Sequence, residues 1–363
     1  MRTLEKLTIK NFKSIREQTL ALGRLNVFIG ANGSGKSNLI EAFRFLREMV
    51  NQNLAEATMI RGGADKLLYF GRKRSPEMSF QLEFGDAATG SGYWVRLRST
   101  DEDSFVIADE RAYYDELKKG QMPYDIVFSA FSLESKIKKS DHVVAIEVMR
   151  DMDSYRVYHF HDTSETAAVK NTGDVEDNRV LRPQAENLAA FLYWMQQKQP
   201  DHFANIQDTL RQIAPFFQEF RLAPSKLNES KIRLEWKEKG SDAYFNASSF
   251  SDGTLRFLCL ATLLLQPELP AVVLLDEPEL GLHPAAVALL ADMLSSAATR
   301  TQVIAATQSV TLVNQFEPES VWAVDRVDEQ SVFRHLSRQD MTEWLDEYGL
   351  GDLWEKNILG ARP

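Results

Sequence analysis

Residues Gly30-Ala31-Asn32-Gly33-Ser34-Gly35-Lys36-Ser37 form a glycine-rich stretch that fits the pattern G-x-x-x-x-G-K-[ST]. The five residues before it, Leu-Asn-Val-Phe-Ile at 25–29, are short and apolar, which predicts a buried strand. After it, apolar residues recur at helical spacing, at Leu39, Phe43, Leu46 and Val50. The stretch therefore lies where a phosphate-binding loop must lie, between a strand and a helix.

The chemistry of such a loop follows from its residue types. Glycines let the main chain turn tightly, so that successive N–H groups point at one anion. The start of the following helix adds the positive end of its dipole. Lys36 is placed to reach the β- and γ-phosphates of a nucleotide, and the Ser37 hydroxyl is placed to bind Mg²⁺. The stretch thus predicts nucleotide binding.

The composition is that of an ordinary soluble globular chain. Its 363 residues are 44% hydrophobic and 26% charged, with room for two to three domains. No apolar run approaches the ~18 residues of a membrane span, and residues 1–6 lack the apolar core of a signal peptide. The single cysteine, Cys259, forms no internal disulfide and falls in an apolar helix, so we expect a core residue and a cytoplasmic location without membrane contact.

A net charge of −10 argues against a uniformly basic nucleic-acid binder. It leaves room for a local patch, since basic residues cluster at 72–74 and 136–139. Such runs are most often solvated surface.

Periodicity gives a coarse account of the rest of the chain. Alternation at 78–84, 93–97 and 105–107 predicts an antiparallel meander. From about 111 to 150 the pattern is mixed and predicts mostly helix, and the last third returns to alternating strands and helices.

A second motif is Val272-Val273-Leu274-Leu275-Asp276-Glu277-Pro278, an apolar strand that ends in two acids. Asp276 is suited to hold Mg²⁺ through water. Glu277 is suited to orient and deprotonate a water for in-line attack on the γ-phosphate. A strand that ends in a solvated acidic turn is the alternative, and the phosphate-loop pattern upstream favours the catalytic interpretation.

A third motif, Phe250-Ser251-Asp252-Gly253-Thr254, precedes an apolar helix. A serine and a glycine at a helix start combine a hydroxyl, unbonded N–H groups and the helix dipole, which together predict a further anion site. This site need not serve the same nucleotide as Lys36.

The order of these three motifs resembles that of ABC-type ATPase heads, and more narrowly the SMC/RecF-like branch. Asn11-Phe12-Lys13-Ser14-Ile15 is similar to the opening strand motif of that branch, and the loop through Asn38 is similar to its phosphate loop. The stretch from Asp276 to Pro284 resembles the aspartate box and D-loop of short ATPases found beside phage-defence nucleases of the OLD type. The resemblance covers roughly residues 1–84 and 181–325.

The resemblance implies an α/β fold, an ABC-type (P-loop) ATPase head with an inserted mixed α/β arm domain. The implied divisions are an N-terminal ATPase lobe at 1–84, the arm at 85–180, and a C-terminal lobe at 181–363 with the signature motif, Walker B and D-loop. It also implies ATP and Mg²⁺ as cofactors, with ATP sandwiched between two heads in a homodimer or higher oligomer.

The implied site residues fall into groups by role. Glu277 would be the catalytic base, Lys36 would hold phosphates, and Ser37 and Asp276 would bind the metal. Ser251 and Gly253 would contact the γ-phosphate bound to the partner subunit. The remaining nucleotide-binding positions are Lys13, Asn32, Gly33, Ser34, Gly35 and Asn38.

Two positions depart from the family pattern. Asp252 places a carboxylate beside the expected phosphate, which weakens that contact by repulsion unless the residue caps the helix. Gln308 stands where the family has a switch histidine, and glutamine donates a hydrogen bond but carries no proton at neutral pH. Both departures predict slow turnover.

The resulting hypothesis is an ATPase whose nucleotide-driven head dimerisation regulates a DNA-associated process, namely phage defence with a separate effector protein. A RecF-like DNA repair or replication ATPase, with DNA as partner, is the first alternative. A nucleotide-gated scaffold that holds a partner toxin with negligible turnover is the second. An ABC transporter motor is disfavoured. The run His159-Phe160-His161-Asp162 is either a metal site or, more simply, a polar strand end.

Overall fold

The computed structural model describes residues 2–85, 89–115, 124–128, 131–341, 344 and 347–361. Two sheets of six strands each contain most of the strand residues. In chain order the strands are β1 (Thr3–Phe12), β2 (Ile15–Ala21), β3 (Leu25–Ile29), β4 (Glu77–Gly85), β5 (Gly90–Ser99), β6 (Phe105–Asp115), β7 (Tyr124–Val127), β8 (Tyr155–Tyr158), β9 (Gly173–Asp174), β10 (Phe217–Phe220), β11 (Lys231–Ile232), β12 (Glu235–Glu238), β13 (Tyr244–Asn246), β14 (Val272–Asp276), β15 (Gln302–Thr307), β16 (Val321–Val327) and β17 (Gln330–His335).

The helices are named in the same way. They are α1 (Lys36–Val50), α2 (Leu54–Ile60), α3 (Ala64–Leu67), α4 (Val143–Met152), α5 (Leu188–Lys198), α6 (Pro200–Ile213), α7 (Asp252–Leu265), α8 (Pro284–Ala298), α9 (Val310–Val313) and a last helix at Leu350–Glu355. Within the described residues, no helix is both long enough and apolar enough to cross a bilayer.

The first sheet is antiparallel, in the order β2-β1-β4-β5-β6-β7. The predicted meander is confirmed in β4, β5 and β6. The prediction of mostly helix from about 111 to 150 is wrong at residues 111–115, which continue β6 and pair with β5 and β7, and at residues 124–127, which form β7. The conformation of these residues is decided by pairing with neighbouring strands, and the pattern of one stretch of sequence carries no information about that pairing.

The second sheet carries the phosphate-loop pattern. Its order is β17-β16-β3-β15-β14-β8, and β3 runs parallel to both of its neighbours, β15 and β16. The middle strands are buried almost throughout, as expected for a parallel sheet covered on both faces. Helix α1 packs its buried face, which includes Leu39, Phe43 and Leu46, into the core shared with both sheets.

The contacts divide the chain into two compact units. Unit 1 comprises residues 1–157, 270–274 and 301–363, and unit 2 comprises residues 158–269 and 275–300. The division of the sequence into a lobe at 1–84, an arm at 85–180 and a lobe at 181–363 stays a prediction.

In unit 1, two fully buried tyrosines differ in what their hydroxyl groups contact. The Tyr93 hydroxyl donates to the Glu110 carboxyl at 2.7 Å, and that carboxyl also accepts from the Ser135 hydroxyl and the Lys136 amide. The Tyr155 hydroxyl is buried with no hydrogen-bond partner among the described residues. Burial raises the pKa of both tyrosines.

We expect Tyr93→Phe to lower the free energy of unfolding by about 1–3 kcal/mol, because it removes a donor from a buried carboxyl. Tyr155→Phe is the matched control and should leave that free energy within about 0.5 kcal/mol of the wild-type value, or raise it, since no bond is lost. Urea unfolding of both variants measures the difference. Equal losses would show that the Glu110 contact contributes nothing specific.

Candidate functional site

The glycine-rich loop lies in unit 1 between β3 and α1, and the predicted strand and helix are both confirmed. Helix α1 begins at Lys36, and Gly35 before it has φ 114°, a left-handed conformation that suits glycine. The first amides of α1, those of Lys36 and Ser37, have no intrahelical acceptor and lie at the positive end of the helix dipole. Asn32, Gly33 and Ser37 are exposed at this end of the helix.

Glycine is required at two positions of the loop for reasons of space. A Cβ on Gly30 would lie 2.3 Å from the Val324 carbonyl oxygen of β16. A Cβ on Gly35 would lie 2.0 Å from the Ser331 hydroxyl of β17. The loop is therefore pressed against two neighbouring strands and keeps its shape only without these side chains.

The interior of the loop fits a phosphate group. The Lys36 ammonium donates to the carbonyls of Gly30, at 2.5 Å, and Ala31, at 3.0 Å, so the cation sits inside the loop. The Ser34 hydroxyl is buried and has no partner among the described residues. A buried hydroxyl and a buried ammonium in the same loop match the donors that a phosphate oxygen needs.

A cluster of hydrogen bonds among Ser14, Asn38 and Ser331 contacts the main chain of the loop at Ser34. The Ser331 hydroxyl donates to the Ser34 carbonyl at 2.5 Å and shares a hydrogen bond with the Ser14 hydroxyl at 2.6 Å. The Asn38 side chain donates to Ser14 at 2.7 Å, and the Ser331 amide donates to the Ser14 carbonyl. Ser14 lies in the quoted opening motif, but sequence reasoning missed Ser331, because 297 residues separate it from Ser34 and no local pattern marks it.

Lys13 lines a cavity of about 520 Å³ beside this cluster. The other lining residues are Ser14, Asn38, Arg61, Lys66, Leu68, Phe70 and Arg326. Burial lowers the pKa of Lys13, Glu41 raises it, and Arg61 and Arg44 lower it further. Arg61 is itself ion-paired with Glu41 and Glu48 of α1. The cavity is rich in cations and suits an anionic ligand.

The acidic motif lies in unit 2, where Asp276 ends β14 and Glu277 follows it. Glu277 has φ 44°, which is uncommon for a residue with a side chain and typical of strained functional turns. The turn continues through hydrogen bonds from Leu280 to the Glu277 carbonyl and from Leu282 to the Glu279 carbonyl. With this positive φ, the main chain turns away from the strand direction at Glu277, directly after β14 ends.

The third motif forms the start of α7, also in unit 2. Ser251 is the N-cap, and its hydroxyl accepts from the Thr254 amide at 3.2 Å. Asp252 is exposed in the first turn of α7 and does not cap the helix, because Ser251 does. The repulsion expected between the Asp252 carboxylate and a bound phosphate is therefore not relieved by capping. A carboxylate in a first helical turn is still favoured by the helix dipole.

Gln308, His283 and Cys259 also have defined places in the structure. Gln308 follows β15 and is half-buried, two residues before α9 begins. His283 caps α8, its ring accepting from the Ala285 amide. Cys259 lies buried in α7, where burial raises the pKa of the thiol to about 12, and its predicted place in the core is confirmed.

The histidine run lies in unit 2 at the end of β8. The His161 ring forms a hydrogen bond with the Asp276 carbonyl at 2.8 Å. The centroids of the His159 and His161 rings lie 4.3 Å apart. Among the residues that the structure describes, no three His, Cys, Asp or Glu side chains are grouped so as to hold a metal ion.

Residues 25–314 match the family described as "AAA domain, putative AbiEii toxin, Type IV TA system", and the chain belongs to this family. Membership implies nucleotide binding, in agreement with the loop at Gly30–Ser37.

Solved structures show the fold. The SMC head bound to the C-terminal winged-helix domain of ScpA matches with a TM-score of 0.63 at 16% identity, over 94% of this chain and 99% of that one. The SMC head with an extended coiled coil from Pyrococcus furiosus, bound to the C-terminal domain of ScpA, matches with a TM-score of 0.59 at 16% identity, over 96% and 99%. The predicted ABC-type head fold is confirmed.

Curated relatives match over a short segment. The DNA replication and repair protein RecF of Renibacterium salmoninarum is 39% identical over 70 residues, and that of Acidothermus cellulolyticus is 36% identical over 70 residues. The matched segment is 19% of this chain and 18–19% of those proteins, so the chain spans under a fifth of their length.

We expect Ser331→Ala to weaken ATP binding about 5- to 30-fold, because it removes the donor that holds the Ser34 carbonyl of the loop, a loss of about 1–2 kcal/mol. Thr19→Ala is the matched control, since it removes a hydroxyl pair with Thr8 on the exposed face of the first sheet. Titration with a fluorescent ATP analogue measures both affinities. Wild-type affinity in Ser331→Ala would show that the cluster does not shape the loop.

Proposed function

We propose that this chain is an ATP-binding and ATP-hydrolysing ABC-type head whose nucleotide-driven dimerisation regulates a DNA-associated process. The loop around Lys36 is the single observation that carries the proposal, because its buried ammonium and Ser34 hydroxyl suit a phosphate. Family membership and the SMC-like head fold support it.

Within this proposal each site residue has one role. Lys36 and the loop amides from Asn32 to Asn38 bind the phosphates, and Lys13 binds the nucleotide from the neighbouring cationic cavity. Ser37 and Asp276 are the metal-binding residues. Mg²⁺ supplies charge neutralisation at the phosphates when bound.

The catalytic roles fall to two further residues. Glu277 accepts a proton from the attacking water. Gln308 donates a hydrogen bond to the γ-phosphate but cannot carry a proton at neutral pH, which favours slow turnover.

The signature residues Ser251 and Gly253 act on the nucleotide of the partner subunit. Their placement at the N-terminus of a 14-residue helix supports an anion contact. A homodimer with two sandwiched nucleotides follows from this arrangement.

Phage defence with a separate effector protein is the process we propose. The description of the family names a toxin of a type IV toxin–antitoxin system. In sequence, the stretch from Asp276 to Pro284 resembles the same stretch of ATPases found beside OLD-type nucleases. The SMC heads of similar fold were solved with ScpA bound, which supports a partner protein for a head of this kind.

A RecF-like role in DNA repair or replication is the second candidate. The two 70-residue matches to RecF favour it.

We expect Glu277→Gln to bind ATP normally and to hydrolyse it about 10²- to 10⁴-fold more slowly, because the amide cannot accept the proton. With ATP and Mg²⁺ the variant should accumulate as a dimer by light scattering. Adding Ser251→Arg to this variant should abolish the dimer while ATP binding persists, and Lys36→Ala should abolish binding itself. Wild-type turnover in Glu277→Gln would remove Glu277 from the mechanism, and a persisting dimer would remove Ser251 from the interface.

Duplex DNA separates the two candidate functions. A RecF-like ATPase is expected to turn over faster with duplex DNA, with a stimulation that falls steeply between 50 and 200 mM salt, a range over which phosphate contacts weaken strongly. ATPase assays with and without a 40-base-pair duplex across that range measure it. Rates that DNA leaves unchanged would exclude the RecF-like role.

A further inference from the structure

Arg256 is a buried arginine in the third motif's helix, and its guanidinium group joins three carbonyls. Its Nε donates to the Phe160 carbonyl at 3.0 Å, one Nη donates to the His161 carbonyl at 3.0 Å, and the other Nη donates to the Leu280 carbonyl. The residue is 7% exposed, and all of these groups belong to unit 2.

The chemistry of this contact is specific to arginine. A guanidinium presents five N–H donors in one rigid plane, so it can hold carbonyls of separate segments at fixed angles. Burial lowers the pKa of Arg256, and the nearby Asp252 carboxylate raises it. A lysine would keep the charge but could not reproduce the fork.

The start of α7 and the turn after Glu277 also approach each other through their main chains. A Cβ on Gly253 would lie 2.6 Å from the Gly281 carbonyl oxygen. A Cβ on Gly281, which has φ 75°, would lie 2.6 Å from an Nη of Arg256. The signature turn, residues 251–254, and the acidic turn, residues 276–281, are therefore in direct contact within one subunit.

His161 extends this contact to the end of β14. Its Nε2 lies 2.8 Å from the Asp276 carbonyl, and a carbonyl only accepts, so Nε2 carries the hydrogen. Arg256 thus holds the main chain of His161, while the ring of His161 holds the main chain of Asp276. The two residues therefore bind main-chain carbonyls on both sides of Glu277, His161 at Asp276 and Arg256 at Leu280.

We propose that Arg256 and His161 are positioning residues that fix the acidic turn, residues 276–281, relative to the signature turn of the same subunit. The inference rests on the proposed function and deepens it. If Ser251 contacts the partner's nucleotide while Glu277 acts on the subunit's own, Arg256 links the two ATP sites of the dimer. Binding at one site then sets the geometry of the base at the other.

The experiment compares Arg256→Gln with Arg300→Gln. Arg300 follows α8 and makes the same kind of contact at the C-terminal end of α7, donating to the Leu264 carbonyl at 2.7 Å and the Gln266 carbonyl at 3.0 Å. It therefore controls for loss of a guanidinium that holds main-chain carbonyls at the opposite end of α7. We expect Arg256→Gln to lower kcat about 10²-fold, as misplacement of a catalytic group by an ångström does, with unchanged ATP affinity. Its Hill coefficient for ATP should fall to about 1, since the link between sites is lost.

The control and the conservative variant complete the kinetic test. Arg300→Gln should keep the wild-type kcat and Hill coefficient, and Arg256→Lys should fall between Arg256→Gln and wild type. Wild-type kcat and cooperativity in Arg256→Gln would overturn the inference. Equal losses in Arg256→Gln and Arg300→Gln would overturn it too, because they would report damage to α7 alone.

Amide hydrogen exchange gives a readout that does not depend on activity. We expect residues 276–281 to exchange at least tenfold faster in Arg256→Gln and at the wild-type rate in Arg300→Gln. A wild-type chain without ATPase activity would refute the proposed function. Unchanged exchange in Arg256→Gln would separately refute this inference.

If Arg256→Gln does not fold, His161→Leu takes its place with His202→Leu as control. The His202 ring bonds the Leu265 carbonyl at 2.7 Å, also at the far end of α7. Faster exchange at 276–281 in His161→Leu alone is the supporting result, and equal exchange in the two variants is the refuting one.

Discussion

The shape of the glycine-rich loop at Gly30–Ser37 depends on close packing between its main chain and two later strands, β16 and β17. The Val324 carbonyl and the Ser331 hydroxyl occupy the space in which side chains at residues 30 and 35 would lie. The loop at the N-terminal end of α1 is therefore completed by the hairpin of β16 and β17, whose residues follow it by about 300 positions. The native shape of the loop therefore depends on contacts with that hairpin.

Much of the site could be read from local pattern. The apolar run at 25–29 and the helical spacing after it placed β3 and α1 correctly, because a strand buried on both faces and an amphipathic helix each leave a short-range signature. The acidic end of β14 and the capping serine of α7 were found for the same reason. Each of these features is decided within about fifteen residues of sequence.

What could not be predicted depends on pairing across the chain. Residues 111–115 became strand because β5 and β7 offered partners on both sides, which outweighed their mixed pattern. In the sequence, nothing distinguishes Ser331 from any other serine of a hairpin, because its hydrogen bond to the Ser34 carbonyl depends on β17 lying beside the loop. Arg256 is visible in the sequence as one charge in an apolar helix, but its three acceptors come from two other segments.

The solitary thiol of Cys259 has a practical consequence for studying conformational change. Burial raises the pKa of this thiol to about 12, and the group is shielded from solvent, so the reactive thiolate form is disfavoured at neutral pH. Cys259, the one cysteine of the sequence, is therefore a poor target for maleimide dyes in the folded protein. A cysteine introduced on an exposed surface can therefore be labelled selectively without first replacing Cys259. Fluorescence energy transfer between two labelled copies can then be measured with a single-cysteine substitution in the otherwise wild-type chain.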